Sequence, residues 1–263
     1  MNYQDKFSLE GKVAFVCGGT GLIGRETSKA LAAAGATTVI LDIDRKRGKQ
    51  LAQEIKKFGY DAHYEYFDLT GLKKIEKSIN RLVSKYKSLD VWVNLAYPRT
   101  KDWGNAVEAL KVDSLRKNVD MHLNSYAWTS RAAALIMKKK KIKGSIINFG
   151  SIYGVVANDF TVYEGTSMTS PMAYAMIKAG IVNVTKYLAS YFGKYDIRVN
   201  SICPGGIFDH QNKTFMRNFE KKVPLKRMGK PEEMAPAVVF LSSEASSYVT
   251  GSTLMVDGGW TVV

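Results

Sequence analysis

Seven short apolar runs, rich in β-branched residues, recur along the chain: "KVAFVCGG", "ATTVILD", "DAHYEYFD", "LDVWVNLA", "GSIINFGS", "IRVNSICPGG" and "STLMVDGG". Between them, apolar residues return at three- and four-residue spacing, as in "IEKSINRLVSKY" and "MIKAGIVNVTKYLASYF". That is the period of an amphipathic helix. Strands that are apolar throughout, alternating with helices, predict a parallel sheet covered on both faces. Seven such strands in 263 residues predict one α/β domain over residues 1–263, a doubly wound sheet with no repeat or linker inside it. The stretches 97–118, 153–173 and 208–224 predict long loops after strands four, five and six. In a parallel sheet those are the carboxyl ends, where ligands bind.

The first run ends in "VCGGTGLIG", with glycines at 18, 19, 21 and 24, and the helical pattern "RETSKALAAAGA" follows. A strand, a glycine-rich turn and a helix start form a geometry that receives a pyrophosphate. The glycines let the backbone approach, and free helix N–H groups favour the anion. Asp42 closes the second run, 18 residues after Gly24. A carboxylate there accepts from both ribose hydroxyls and repels a 2′-phosphate, so NAD is expected over NADP. Arg45, Lys46 and Arg47 lie just beyond and oppose that preference. Asp68, at the end of the third run, is placed to face an adenine.

A second constellation is "YAMIK", Tyr174 to Lys178. Residues four apart share a helix face. A lysine cation beside a tyrosine hydroxyl favours the phenolate, so the Tyr174 pKa is expected to fall from about 10 toward working pH. A general acid–base tuned in that way can exchange a proton with a hydroxyl or carbonyl.

Taken in order, these motifs resemble the short-chain dehydrogenase/reductase family over essentially the whole chain. The family's glycine motif falls on Cys17, Gly18, Leu22 and Gly24, and its strand-four motif on Asn94, Leu95, Ala96 and Tyr97. Its catalytic serine motif matches "NFGSIYG", and the tail "PLKRMGKPEEMAPAVVFLSSEASSYVTGSTLMVDGG" matches the family's C-terminal half. The resemblance implies a Rossmann fold and hydride exchange between a nicotinamide and a substrate carbon. Tyr174 would exchange the proton, Lys178 would hold the nicotinamide ribose, and Ser151 would orient the carbonyl oxygen. His122 takes the fourth catalytic position, an asparagine in the family. The implied cofactor surface is Gly18, Thr20, Leu22, Ile23, Gly24, Asp42, Asp68, Leu69, Asn94, Ala96, Tyr174, Lys178, Pro204, Gly205 and Ile207. Ser151, Tyr97, Arg99, Tyr174 and Gly206 are expected to meet the substrate.

Departures from the family pattern sharpen the reading. Leu22 stands at a motif glycine, which is expected to displace the turn, and Cys17 replaces a structural threonine. Asp209 stands where a threonine near the carboxamide is usual. Ser151 and Tyr174 are 23 positions apart. That is longer than the family spacing, so an insertion flanks the substrate. Tyr97 replaces a glycine and begins "YPRTKDWG", which brings Arg99, Lys101 and Trp103 toward the site entrance. The insertion and the "YPR" stretch resemble reductases of surface-sugar or flagellin-glycan pathways. The expected substrate is therefore a hydroxylated sugar, anionic or nucleotide-linked.

Composition narrows the alternatives. There are 38 Lys and Arg against 24 Asp and Glu, a formal charge of +14. The basic residues are spread over amphipathic helices, and "KKKKIKG" sits at a helix end where cations favour the dipole. No nucleic-acid partner is expected. No apolar run reaches the roughly 18–20 residues of a membrane span. No secretory pattern opens the chain, so a cytoplasmic location is expected. Cys17 and Cys203 read as buried reduced thiols. The three histidines are scattered, so no metal is expected. The resemblance also implies a homo-oligomer, a dimer or tetramer. Two rival readings are a dinucleotide-binding sensor without turnover and a sugar-nucleotide epimerase or dehydratase. The intact Ser151, Tyr174 and Lys178 oppose the first, and the short length and "PGG…VDGG" tail oppose the second.

Overall fold

A computed structural model describes residues 2–263. Its strands are β1 (Val13–Cys17), β2 (Thr37–Asp42), β3 (Ala62–Tyr66), β4 (Val91–Asn94), β5 (Ser145–Phe149), β6 (Arg198–Pro204) and β7 (Thr253–Val256). They form one seven-stranded sheet in the order β3-β2-β1-β4-β5-β6-β7, with every pair parallel. Each crossover places helices on one face or the other, and this covers a sheet whose central strands are apolar on both faces. β1 shows the consequence, since all five of its residues are buried.

Alternate strand residues point to opposite faces. Phe15 and Cys17 enter one core with Ile75, Ile79 and Leu82 of α3 (Leu72–Tyr86). Ala133 and Met137 of α5 (Ser125–Lys140) and Ile177 and Ile181 of α6 (Met172–Phe192) complete that layer. Ala14 and Val16 enter the other core with Leu31 of α1 (Leu22–Ala33) and Val238 and Leu241 of α8 (Ala235–Ser242). The amphipathic α2 (Arg45–Lys57) packs Leu51, Ala52 and Ile55 over Ile40.

Two of the three expected long loops hold helices. The stretch 97–118 ends in α4 (Val112–Asn118), and 208–224 contains α7 (Lys213–Lys222). α7 carries its own start signal. The Asn212 side chain accepts from the Thr214 N–H, and Phe215 and Phe219, four apart, supply the buried face. One apolar pair in a basic segment is a weak periodic signal. The stretch 153–173 stays irregular apart from two single turns, Ile152–Gly154 and Phe160–Tyr163.

Candidate active site

The sheet register aligns Cys17 with Asn94, and Asn94 with Asn148, so the carboxyl ends of β1, β4 and β5 form one rim. At that rim the turn after β1 lies against the chain after β4. Gly18 has φ +80°, and a side chain there would run into the Ala96 backbone. A side chain at Gly24 would strike the Gly18 carbonyl. Gly21 begins α1 without a side-chain cap, so the first N–H groups of α1 face the loop. The α1 helix starts at Leu22, which is 43% exposed. The turn therefore closes on Gly18 and Gly24 and leaves the leucine outside. This cradle, with a carboxylate at the end of β2, fits a dinucleotide pyrophosphate and ribose.

That carboxylate is Asp42. Its Oδ2 accepts from the Thr20 N–H at 3.1 Å and the Thr20 hydroxyl at 2.7 Å. Its Oδ1 accepts from the Asp44 N–H at 3.0 Å. Two of the three cations beyond it are engaged elsewhere. Arg45 lies 4.1 Å over the Tyr66 ring, and Arg47 pairs with Asp44 at 3.3 Å. Asp68 lies two residues past β3, exposed, and holds the Thr70 N–H and hydroxyl, while Leu69 is buried beside it. Ile23 lines the apolar layer behind the cradle.

The Asn94 side chain faces inward. Its amide donates to Asn148 at 2.8 Å and Ser130 at 3.0 Å, and its carbonyl accepts from Trp92 and Thr129. It ties β4 to β5 and α5, and only its backbone is left for a cofactor. At the end of β6, the Gly205 N–H donates to the Val256 carbonyl and Ile207 bridges to Gly229. Pro204, Gly205 and Gly206 are held at the same rim by these contacts.

The chemistry-bearing side chains meet between β5 and α6. Ser151 follows β5 and is buried, and its Oγ accepts from the Tyr153 N–H at 3.2 Å. That contact does not use the Ser151 hydroxyl proton, and the hydroxyl favours the Tyr174 phenolate. Lys178 lies one turn along α6 from Tyr174 and is buried. Its ammonium donates to the Phe149 carbonyl at 2.9 Å and sits 5.7 Å from the Tyr174 ring centre. Burial brings its pKa down to about 8. Tyr174 departs from expectation. Burial pushes its phenol up to about 12, and only the Ser151 hydroxyl opposes this among the larger influences. The ammonium is directed at the Phe149 carbonyl rather than at the phenol, so the expected lowering by Lys178 is absent.

His122 sits in a π-helical turn, Val119–Asn124, that joins α4 to α5. It is fully buried, edge-on to Tyr97 at 5.4 Å and Tyr126 at 5.0 Å. Neither ring nitrogen has a hydrogen-bond partner among the described residues. Burial, and then the Lys178 charge, hold its pKa well below the usual imidazole value. Burial thus favours the neutral ring. Asn124 points away and donates to Asp120.

The chain after β4 forms the opposite wall. Tyr97 and Trp103 both stand edge-on to Tyr174, at 5.9 and 6.2 Å. Arg99 is exposed with its guanidinium 5.0 Å from the Tyr97 ring, and Lys101 is exposed beside it. Among the described residues no carboxylate pairs with Arg99. Asp209 lies exposed beyond Ile207. What holds this wall escaped the sequence. Asn118 of α4 accepts from the Thr100 N–H at 3.0 Å and donates to the Thr100 hydroxyl at 2.8 Å, while Ser114 donates to Asp102 at 2.8 Å. These partners are 12 to 18 residues apart, beyond any local pattern.

Proteins of similar sequence and structure cover this chain almost from end to end. The family model described as enoyl-(acyl carrier protein) reductase matches residues 20–261. The post-translational flagellin modification protein A of Campylobacter coli is 34% identical, with 96% of this chain and 99% of that protein covered. A short-chain dehydrogenase from Leptospira borgpetersenii with bound NAD+ is 35% identical, with 99% and 96% covered and a TM-score of 0.83. A gluconate 5-dehydrogenase from Burkholderia cenocepacia, in complex with NADP and tartrate, has a TM-score of 0.89 at 26% identity, with both chains fully covered. The chain belongs to the short-chain dehydrogenase/reductase family. It is an oxidoreductase that acts on CH–OH groups with a nicotinamide dinucleotide.

Proposed function

We propose that this protein interconverts a secondary alcohol and a ketone on a hydroxylated sugar derivative, anionic or nucleotide-linked, with NAD preferred over NADP. The observation that carries the reading is the buried Lys178 ammonium, 5.7 Å from the Tyr174 ring centre and bonded to the Phe149 carbonyl two residues before the buried Ser151. When bound, the dinucleotide supplies or accepts the hydride. Gly18, Gly24 and the start of α1 would hold its pyrophosphate, and Asp42 its adenosine ribose. Ser151 donates to the substrate oxygen and fixes its position. Tyr174 gives its proton to that oxygen in reduction and takes it back in oxidation. Lys178, buried one turn along α6, would hold the nicotinamide ribose through the ammonium donors that the Phe149 carbonyl leaves free.

NAD preference is supported by Asp42 at the end of β2, with Arg45 stacked on Tyr66 and Arg47 paired to Asp44. The sugar class is supported by the flat faces of Tyr97 and Trp103 beside Tyr174, and the anionic character by Arg99. It agrees with the names of the flagellin-modifying relative and the gluconate dehydrogenase. Outward faces of α5 and α6 expose Trp128, Leu135, Tyr187 and Tyr191, which supports association of copies. Among the described residues no helix is long and apolar enough to cross a membrane.

The test uses purified protein, NAD and NADP, and a panel of hydroxylated sugars and nucleotide sugars, followed by NADH absorbance. Tyr174→Phe should lower turnover at least about a hundredfold on the substrate found, with NAD affinity unchanged. Near-full activity in that variant sinks the catalytic assignment. Calorimetry should show NAD binding more tightly than NADP, with Asp42→Ala narrowing the gap.

A further inference from the structure

The stretch 155–171, between Ser151 and α6, takes no part in the chemistry above, yet it is tightly held. Val162 at its centre is fully buried. Tyr163 stacks on Phe215 of α7, with ring centres 5.3 Å apart and planes 20° from parallel. Asp159 caps the turn by accepting from the Thr161 N–H at 2.9 Å, and it pairs with Lys222 of α7 at 3.1 Å. Asn158 donates to the Ser170 hydroxyl and brings the two ends of the stretch together. Asn218, midway along α7, donates its side-chain amide to the Glu164 carbonyl at 3.0 Å and the Val162 carbonyl at 3.4 Å.

The same buried face of α7 reaches the site. Phe219 stacks on Trp260 with ring centres 4.5 Å apart, and a side chain at Gly206 would come within 2.6 Å of the Phe219 ring. Tyr174 packs against the same cluster. A ten-residue helix is marginal by itself, so its tertiary contacts decide whether it is ordered. Apolar stacking is tolerant of sliding, whereas a hydrogen bond is directional. The two bonds from Asn218 therefore set where the stretch sits on α7.

We propose that Asn218 is a positioning residue that latches the 155–171 stretch onto α7. The two then form one preassembled wall beside Tyr174, and that wall sets the width of the substrate site. Ser151, Tyr174 and Lys178 are held by β5 and α6 instead, so the latch governs substrate fit rather than the chemical step. Only this kinetic consequence rests on the dehydrogenase reading.

Hydrogen exchange on the full chain, read by mass spectrometry, tests the latch without turnover. In Asn218→Ala, peptides covering 156–166 and 213–222 should exchange together, at least about tenfold faster, while β5 and α6 keep their protection. With a verified substrate, KM should rise about tenfold and kcat stay within about twofold. If 156–166 loosens alone, or neither segment changes, the latch is wrong. A fall in kcat at unchanged KM also overturns it. If Asn218→Ala fails to fold, Asn218→Asp keeps the side chain's size but removes the donating amide, and the same paired exchange is required of it. Wild-type protein with no turnover on any substrate would count against the dehydrogenase reading and leave the exchange result to decide the latch.

Discussion

Tyr174 and Lys178 are four residues apart on one helix face, but burial rather than mutual attraction governs them. Lys178 is held near pH 8 against an ordinary 10.5, mainly by desolvation. The sign of the linked stability follows. Below pH 8 the ammonium is charged in both folded and unfolded chains, and the cost of burying it is fully felt. Between pH 8 and 10.5 the folded protein has released a proton that the unfolded chain keeps, so raising the pH favours the fold. Lys178→Met keeps a long apolar stem and removes that cost. Denaturant titrations should show wild type gaining on this variant from pH 7 to 10, by up to about 3 kcal/mol. A pH-independent gap between the two would mean that Lys178 is not desolvated. His122 belongs to the same small region, and its ring packs between Tyr97 and Tyr126, where burial favours the neutral form.

At the scale of elements, the wall from Tyr97 to Trp103 depends on α4. Asn118 is buried and both accepts from and donates to Thr100. Asn118→Ala leaves the Thr100 N–H without its partner, a loss of about 1–3 kcal/mol. The expected outcome is a lower melting temperature and a higher KM, with NAD affinity unchanged, since the cradle lies on β1 and β2. Calorimetry beside a thermal melt checks it, and equal weakening of NAD binding would contradict the division of labour. The seven parallel strands, the glycine turn and the pairing of Tyr174 with Lys178 on one face were legible because each rests on local signals: apolar runs, glycine spacing and one helical turn; Ser151 was reached only through the family motif, and the strand order depends on long-range pairing. α4 and α7 were not, because seven and ten residues with two buried side chains each scarcely produce a period. The direction of the Tyr174 pKa was not legible either. It depends on where the Lys178 ammonium points, and the Phe149 carbonyl that receives it lies 29 residues away.

The whole molecule carries a formal charge of +14. A field of that sign draws anions to the surface and raises their encounter rate, and salt screens it over about 8–10 Å. Diffuse attraction does not select one anion over another, because selection needs a short contact. Arg99 can supply it. Its guanidinium is exposed over the Tyr97 ring, and Tyr97 stands edge-on to Tyr174. A planar fork at that point pairs with two oxygens of a phosphate or carboxylate. The two effects separate experimentally. For matched neutral and anionic substrates, rising salt should lower kcat/KM for the anionic one in wild type, and Arg99→Ala should retain much of that slope. At fixed salt, Arg99→Ala should cost the anionic substrate roughly 1.5–3 kcal/mol of kcat/KM and leave the neutral one unchanged. Equal losses on both substrates, or none on either, would make Arg99 a surface residue and point to a neutral polyol or ketone.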